Sequence, residues 1–290
     1  MRFVSQLGLL LLASLIALPV LMVLGSWLQW NAQSAQILGE LADTVLPQYA
    51  WTSLGLCAVV AVGVATIGSA TAMAVTLFDF PGRRFFEWAL LLPLAVPAYV
   101  IAYAYTDFLQ FGGPLQVWVR ALTGLQGRVL PDVRSVAGAA WVFIFALYPY
   151  VYVLARSALS ERATHLMEAA RLLGAPLARR IRVVALPLAR PAIAAGVALA
   201  LMETLADFGV GSYFGIQTFT TGIYKAWLSM DNAVAAAQLA TLLLLVVVVL
   251  LQWERIAQRR MRFADKSSTV HSQEAQATRL TGRACVAAWL

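Results

Sequence analysis

Three carboxylates stand where charge is costly. Asp107, Glu203 and Asp207 lie within or at the ends of long apolar runs in this chain of 290 residues. An acid in hydrocarbon is rare, and it faces a cavity, a partner or an ion pathway. Glu203 and Asp207 are four residues apart, so a helix would carry both on one face. Counted from Pro187, a helix rises about 24 Å to Glu203 and about 30 Å to Asp207, and from Trp88 about 28 Å to Asp107. All three acids then belong near one mouth of a membrane-spanning body. Tyr99, Tyr103, Tyr105 and Tyr213 bring phenolic oxygens close in sequence. Carboxylates and phenols are hard donors, which suit a hard cation better than an anion. Other readings of the acids stay open: interfacial residues, partners of loop arginines such as Arg120, or ion sites of a secondary carrier.

Enzyme chemistry finds no footing. His165 and His271 have no cysteine or carboxylate neighbours at ligand spacing, and no fixed metal site is expected. Cys57 and Cys285 form neither a staple nor a metal cluster in this pattern. No nucleophile–base arrangement stands out, and no catalytic residue is assigned. A G-x-x-x-x-G-K-[ST] phosphate loop is absent, and Lys225 and Lys266 are the chain's lysines. The chain itself calls for no cofactor.

The elements that must position these residues are membrane helices. Apolar residues make up 61% of the chain and charged residues 12%, more apolar and less charged than a soluble domain. Six segments are long enough to span: 6–27, 50–78, 88–108, 136–154, 188–209 and 233–253. The expected fold is all-α, a polytopic membrane bundle of about six helices. The first segment is too long for a cleaved leader and reads as a retained span. With the N-terminus inside, seventeen of the 21 lysines and arginines fall on the inner side and four outside, which places both termini in the cytoplasm. Arg120, Arg128 and Arg134, in loop 112–135, run against that rule. The net charge of +7 is thus a matter of sidedness, and nucleic acid is not an expected partner. Trp27, Trp30, Trp51 and Trp227 fall near outer boundaries, as interfacial anchors do. Ala61, Ala65 and Ser69, and again Ala192, Gly196 and Ala200, form stripes that allow close helix approach. Pro93, Pro97 and Pro149 predict kinks.

The segment between the fourth and fifth spans is basic and patterned. Ser160 or Thr164 can cap a short helix, Gly174 can end it, and Pro176 can start a second. Leu177, Ile181 and Val184 share one face of that second piece. A structured helix–turn–helix on the cytoplasmic surface is there to dock something. Glu168-Ala169-Ala170, three residues, Gly174, nine residues, Val184, one residue, then Leu186-Pro187 resembles the EAA signature of permease subunits of ABC importers. The family pattern usually has isoleucine where this chain has Val184.

That resemblance implies a coupling role for Glu168, Ala169, Ala170, Gly174, Val184, Leu186 and Pro187. It implies cytoplasmic ABC ATPase subunits that use the ATP, a periplasmic or extracellular substrate-binding protein, and a second permease unit in the lipid bilayer of a bacterial inner membrane. Phe80-Pro81-Gly82-Arg83-Arg84, Leu92–Tyr99, and Leu201–Gly209 continuing through Tyr213-Phe214-Gly215 to Tyr224 resemble the ferric iron branch. Thiamine, sulfate, molybdate, polyamine and aminophosphonate permeases share parts of these stretches. Ferric iron is the expected substrate, with Asp107, Glu203, Asp207 and Tyr213 on its path. The expected organisation is a first helix and outer loop over 1–49, a permease domain over 50–260 containing the coupling loop 157–187, and a polar tail over 261–290. The ferric branch often carries two six-span units in one chain, and the tail resembles the start of a second.

Overall fold

The computed structural model describes residues 2–29, 32–160, 164–262 and 278–279. It is helical almost throughout. Phe78–Asp79 pairs in parallel with Thr278–Arg279 as a two-residue ladder. The helices are α1 (Arg2–Gly25), α2 (Ala32–Thr44), α3 (Leu46–Leu77), α4 (Arg83–Ala89), α5 (Ala98–Leu109), α6 (Pro114–Thr123), α7 (Val136–Ala158), α8 (Thr164–Leu172), α9 (Leu177–Arg180), α10 (Leu186–Ala206), α11 (Gly209–Phe214), α12 (Phe219–Tyr224) and α13 (Ala233–Arg262). Five segments are long and apolar enough to cross a membrane: 11–29, 46–77, 136–158, 177–206 and 233–252. The rest of the polar tail, with Cys285 and His271, lies outside the described residues, as does Trp30.

The third expected span is not a straight helix. Residues 83–95 meet the run 98–123, which is α5 followed by α6, at 97°. Pro97 caps α5 in extended conformation (ψ 141°), and Pro93 sits in the short 3-10 turn Leu92–Ala95. Residues before proline avoid the α region, so Val96 is extended (ψ 123°) and the helix stops. Pro149 behaves differently: α7 runs α-helically through it. The fifth span is longer than its apolar run, because α9, a π-turn over Ile181–Ala185 and α10 form one segment. Leu186 N–H donates to Ile181 O across that turn. Pro187 lacks an N–H, and a widened turn is one way a helix absorbs the defect. The expected second helix of the cytoplasmic hairpin is therefore the first turn of the span itself.

The chain packs as two units. In one, α1, α2 and the start of α3 join α12 and α13 up to Val249. Its core gathers Leu41, Ala226, Ala236 and Leu239 against Ile37, Leu38, Phe219 and Ile223. Trp27 Nε1 donates to Thr241 Oγ1 at 2.8 Å, and Phe219 N–H to Ser53 Oγ at 2.9 Å. The other unit runs from Gly55 to Gly215 and resumes at Leu250. Here α7 is the central post, with Val142, Phe143, Val151 and Tyr152 buried. Two glycines let neighbours press against it. A Cβ on Gly196 of α10 would lie 2.5 Å from Val151 Cα, and one on Gly68 of α3 would lie 2.8 Å from Tyr148 O. The small-residue stripe expected in the fifth span thus makes its contact at Gly196. In α3 the close approach is made by Gly63 and Gly68, one register away from the expected Ala61, Ala65 and Ser69, which are half-buried.

Candidate functional site

The two ends of α7 carry the two candidate sites. Its 23 residues separate them by about 34 Å.

At the C-terminal end, α8 ends in a Schellman turn. Gly174 takes φ +78°, its N–H donates to Arg171 O at 3.0 Å, and Ala175 N–H reaches Ala170 O at 3.0 Å. Glycine adopts this left-handed conformation without strain, which is why it sits between the helices. Pro176 then caps the segment that becomes the fifth span. Glu168 and Ala169 are exposed, and Ala170 is half-buried. Val184 lies in the π-turn, and Leu186 and Pro187 at its junction with α10; all three are half-buried. The signature residues therefore divide: Glu168, Ala169 and Gly174 belong to the exposed hairpin, while Val184, Leu186 and Pro187 form the joint that carries it into the membrane. Met167 is buried. Glu161 to Ala163 lie outside the described residues.

Sequence reasoning passed over two residues at this tip. Leu172 and Leu173 are 89% and 87% exposed, side by side before Gly174. Paired leucines at the end of an otherwise polar helix were the available signal. It also passed over Glu87, whose carboxylate meets Arg83 at 3.3 Å and Arg156 at 3.0 Å. Tyr152 Oη donates to Glu87 O at 2.9 Å. These contacts fasten α4 to α7 one turn before the hairpin begins.

At the other end, Tyr103 and Asp107 on α5, Tyr213 on α11 and Arg134 before α7 line an open cleft of about 560 Å³. The Tyr103 and Tyr213 ring centroids are 3.9 Å apart. The Arg134 guanidinium lies 4.8 Å from the centre of the Tyr213 ring and donates to its hydroxyl at 3.2 Å. Ser135 caps α7 by accepting from Gly138 N–H, and Asp132 accepts from Arg134 N–H, so the turn that presents Arg134 is itself held. Gly209 brings the start of α11 against Tyr99 Cβ of α5 at 2.9 Å for an added Cβ.

The four residues placed on the path fall into two pairs. Asp107 and Tyr213 share the cleft. Glu203 is exposed on α10, and Asp207 is the C-cap of that helix. It takes ψ 119°, and its Oδ1 accepts from Val210 N–H at 2.7 Å, at the start of α11. Its N–H still bonds Glu203 O at 3.0 Å, so the two acids follow one another up the same side of the last turn of α10, as the four-residue spacing predicts. Asp107 does not pair with Arg120, whose guanidinium is taken by Phe111 O and Gly127 O. Among the described residues, no three His, Cys, Asp or Glu side chains gather as metal ligands.

A bundle of membrane helices with an exposed hairpin at one end and a polar cleft at the other has the architecture of a membrane transport subunit. The chain belongs to the binding-protein-dependent transport system inner membrane component family, whose pattern matches residues 64–263. These are permeases of ABC importers, multi-pass proteins of the inner membrane. The chain is 28% identical over 271 residues to the sulfate transport system permease protein CysW of Escherichia coli (strain K12), covering 91% of this chain and 90% of that one. It is 26% identical over 185 residues to the Fe(3+)-transport system permease protein FbpB 2 of Haemophilus influenzae, covering 63% of this chain and 32% of that longer one. Among solved structures it resembles a bacterial alginate ABC transporter in complex with its alginate pentasaccharide-bound periplasmic protein. The TM-score is 0.70 at 16% identity, with 92% of this chain and 97% of the other covered. The MetNI methionine ABC transporter in an inward-facing conformation gives 0.61 at 19% identity, over 76% and 98%. At these identities the structural likeness speaks for the fold alone.

Proposed function

We propose that this permease passes ferric iron from a periplasmic binding protein across the inner membrane, driven through α8 by a separate ATPase. The observation that carries the substrate is the cleft, where Asp107, Tyr103 and Tyr213 bring a carboxylate and two phenols from two elements to one opening. Such oxygens suit a trivalent hard cation. The Fe(3+) relative supports the same reading. The observation that carries the coupling is the exposed tip of Glu168, Ala169, Leu172 and Leu173, an apolar and acidic surface facing water until a partner covers it. Through the joint at Val184, Leu186 and Pro187, movement of a docked ATPase becomes a rigid-body shift of the fifth span. ATP is bound by that partner, since this chain has no phosphate loop. A second permease unit completes the path, either another copy or a continuation of the tail.

A second reading has its own observation. Arg134 places a guanidinium in the same cleft, which an oxyanion could use, and sulfate and 2-aminoethylphosphonate permeases are among the relatives. The two readings separate by charge. Vesicles holding the chain, its ATPase and its binding protein are supplied with radiolabelled ferric iron, sulfate or 2-aminoethylphosphonate. Asp107→Asn lowers uptake and Arg134→Gln spares it if the cargo is ferric iron. The reverse pattern, with sulfate or phosphonate accumulating, replaces iron by an oxyanion.

A further inference from the structure

Loop 110–135, between the bent third segment and α7, contains a helix built inside out. Along α6, Gln116, Val119, Arg120 and Thr123 share one face, and Val117, Trp118, Ala121 and Leu122 the opposite one. The polar face is turned inward. Gln116 is 1% exposed, and its side chain makes three bonds: Nε2 donates to Leu109 O at 2.7 Å, and Oε1 accepts from Val129 N–H at 3.1 Å and Leu130 N–H at 3.4 Å. Arg120 donates to Phe111 O at 2.9 Å and lies 4.4 Å from the centre of the Phe111 ring. Arg128 pairs with Asp132 at 3.4 Å. The apolar face is turned outward, with Trp118 61% and Leu122 66% exposed.

In water this arrangement is upside down, because a helix buries its apolar stripe and hydrates its polar one. It is the stable arrangement only where the medium outside is apolar. The position of α6 says which medium. Four residues separate it from the last residue of α5, Leu109, and Gln116 bonds back to the carbonyl of that residue. A chain of four residues reaches at most about 14 Å, so α6 stays level with the end of the membrane segment. Tryptophan and a tethered arginine are the residues that populate this layer. A binding protein that docks and departs would leave Trp118 and Leu122 in water for part of every cycle.

We infer that α6 rests with its Val117–Trp118–Leu122 face in the outer interfacial layer of the bilayer, as an anchor that holds the mouth of the permease at membrane level. Arg120 and Arg128, which run against the inside preference for basic residues, are then explained. Their side chains are held by the loop's own carbonyls and by Asp132.

The test uses the full chain, with Cys57 and Cys285 replaced by serine, in vesicles of phosphatidylethanolamine and phosphatidylglycerol. Nitroxides are attached at Trp118→Cys, Leu122→Cys and, as an aqueous reference in the same loop, Gln126→Cys. Collision with oxygen reports lipid, and collision with a nickel chelate reports water. The expected result is an oxygen-to-nickel ratio several-fold higher at 118 and 122 than at 126. A second measurement avoids the cysteine substitution at 118: brominated lipids should quench a share of the tryptophan emission that Trp118→Phe removes. Nickel collisions at 118 and 122 equal to those at 126 would overturn the inference. So would shielding from both reagents, which would mean that protein covers the face.

Discussion

Gly196→Leu is the sharpest perturbation of the frame that links the two ends of this permease. At Gly196 a Cβ would lie 2.5 Å from Val151 Cα, 2.9 Å from Val151 N and 3.0 Å from Tyr150 O. Carbon atoms pack at about 3.5–4.0 Å, so α10 and α7 must part by about 1 Å even before the rest of the leucine is placed. All three atoms are backbone, so no side chain can swing aside. Overpacking costs about 1–3 kcal/mol, and a leucine against backbone belongs at or above the upper end. Better helix propensity returns at most about 1 kcal/mol. The net expectation is a loss of about 2 kcal/mol or more, read as a lower unfolding midpoint of the purified chain in detergent. Uptake should fall further than stability, because α10 continues the segment from the hairpin and α7 leads into it. The control is Gly55→Ala in α3, where a Cβ meets nothing within 4 Å, and stability should hold or rise. A Gly196→Leu protein as stable and active as the parent would refute the close packing of α7 on α10.

Three further outcomes follow from the geometry. Glu87→Gln removes the anchor of Arg83 and Arg156, and since each partly exposed pair is worth about 0.2–1 kcal/mol, the loss should be about 1 kcal/mol; adding Arg156→Gln should cost little more in a double-mutant cycle. Gly174→Pro, Glu168→Lys, and Leu172→Asp with Leu173→Asp should each leave the protein in the membrane but lower recovery of the ATPase on co-purification; unchanged recovery and uptake in all three would remove the coupling assignment. Cysteines placed at Ser212 and Ser160, both exposed, should react oppositely with an impermeant reagent, 212 from outside and 160 from inside, and the reverse labelling would invert the topology.

Much of the frame was legible because it depends on composition and on backbone rules. Runs of some twenty apolar residues have one solution in lipid, and Gly174 followed by Pro176 can only be a turn and a restart. Five of the six expected spans and the hairpin follow from that. What was not legible depends on pairs distant in sequence. The 97° bend needed Pro93 and Pro97 to act together with the packing of α5 on α7, whereas Pro149 alone left its helix straight enough to stay α-helical. The stripe in α3 fell on Gly63 and Gly68 because Ile144 and Val151 of α7 decide which register is approached. At the mouth, spacing grouped Glu203 with Asp207, but it carried no sign that Asp207 Oδ1 would also hold Val210 N–H at the start of α11. Arg134 read as an exception to a charge rule until Tyr213, 79 residues away, came to meet it.

Coupling depends most directly on contact between α8 and an ATPase. A benzophenone probe attached at Ala169→Cys, in a chain lacking Cys57 and Cys285, should form on illumination an adduct with the mass of chain plus ATPase, while the same probe at Ser212→Cys should not. Adducts with the ATPase at 212 and none at 169 would contradict it.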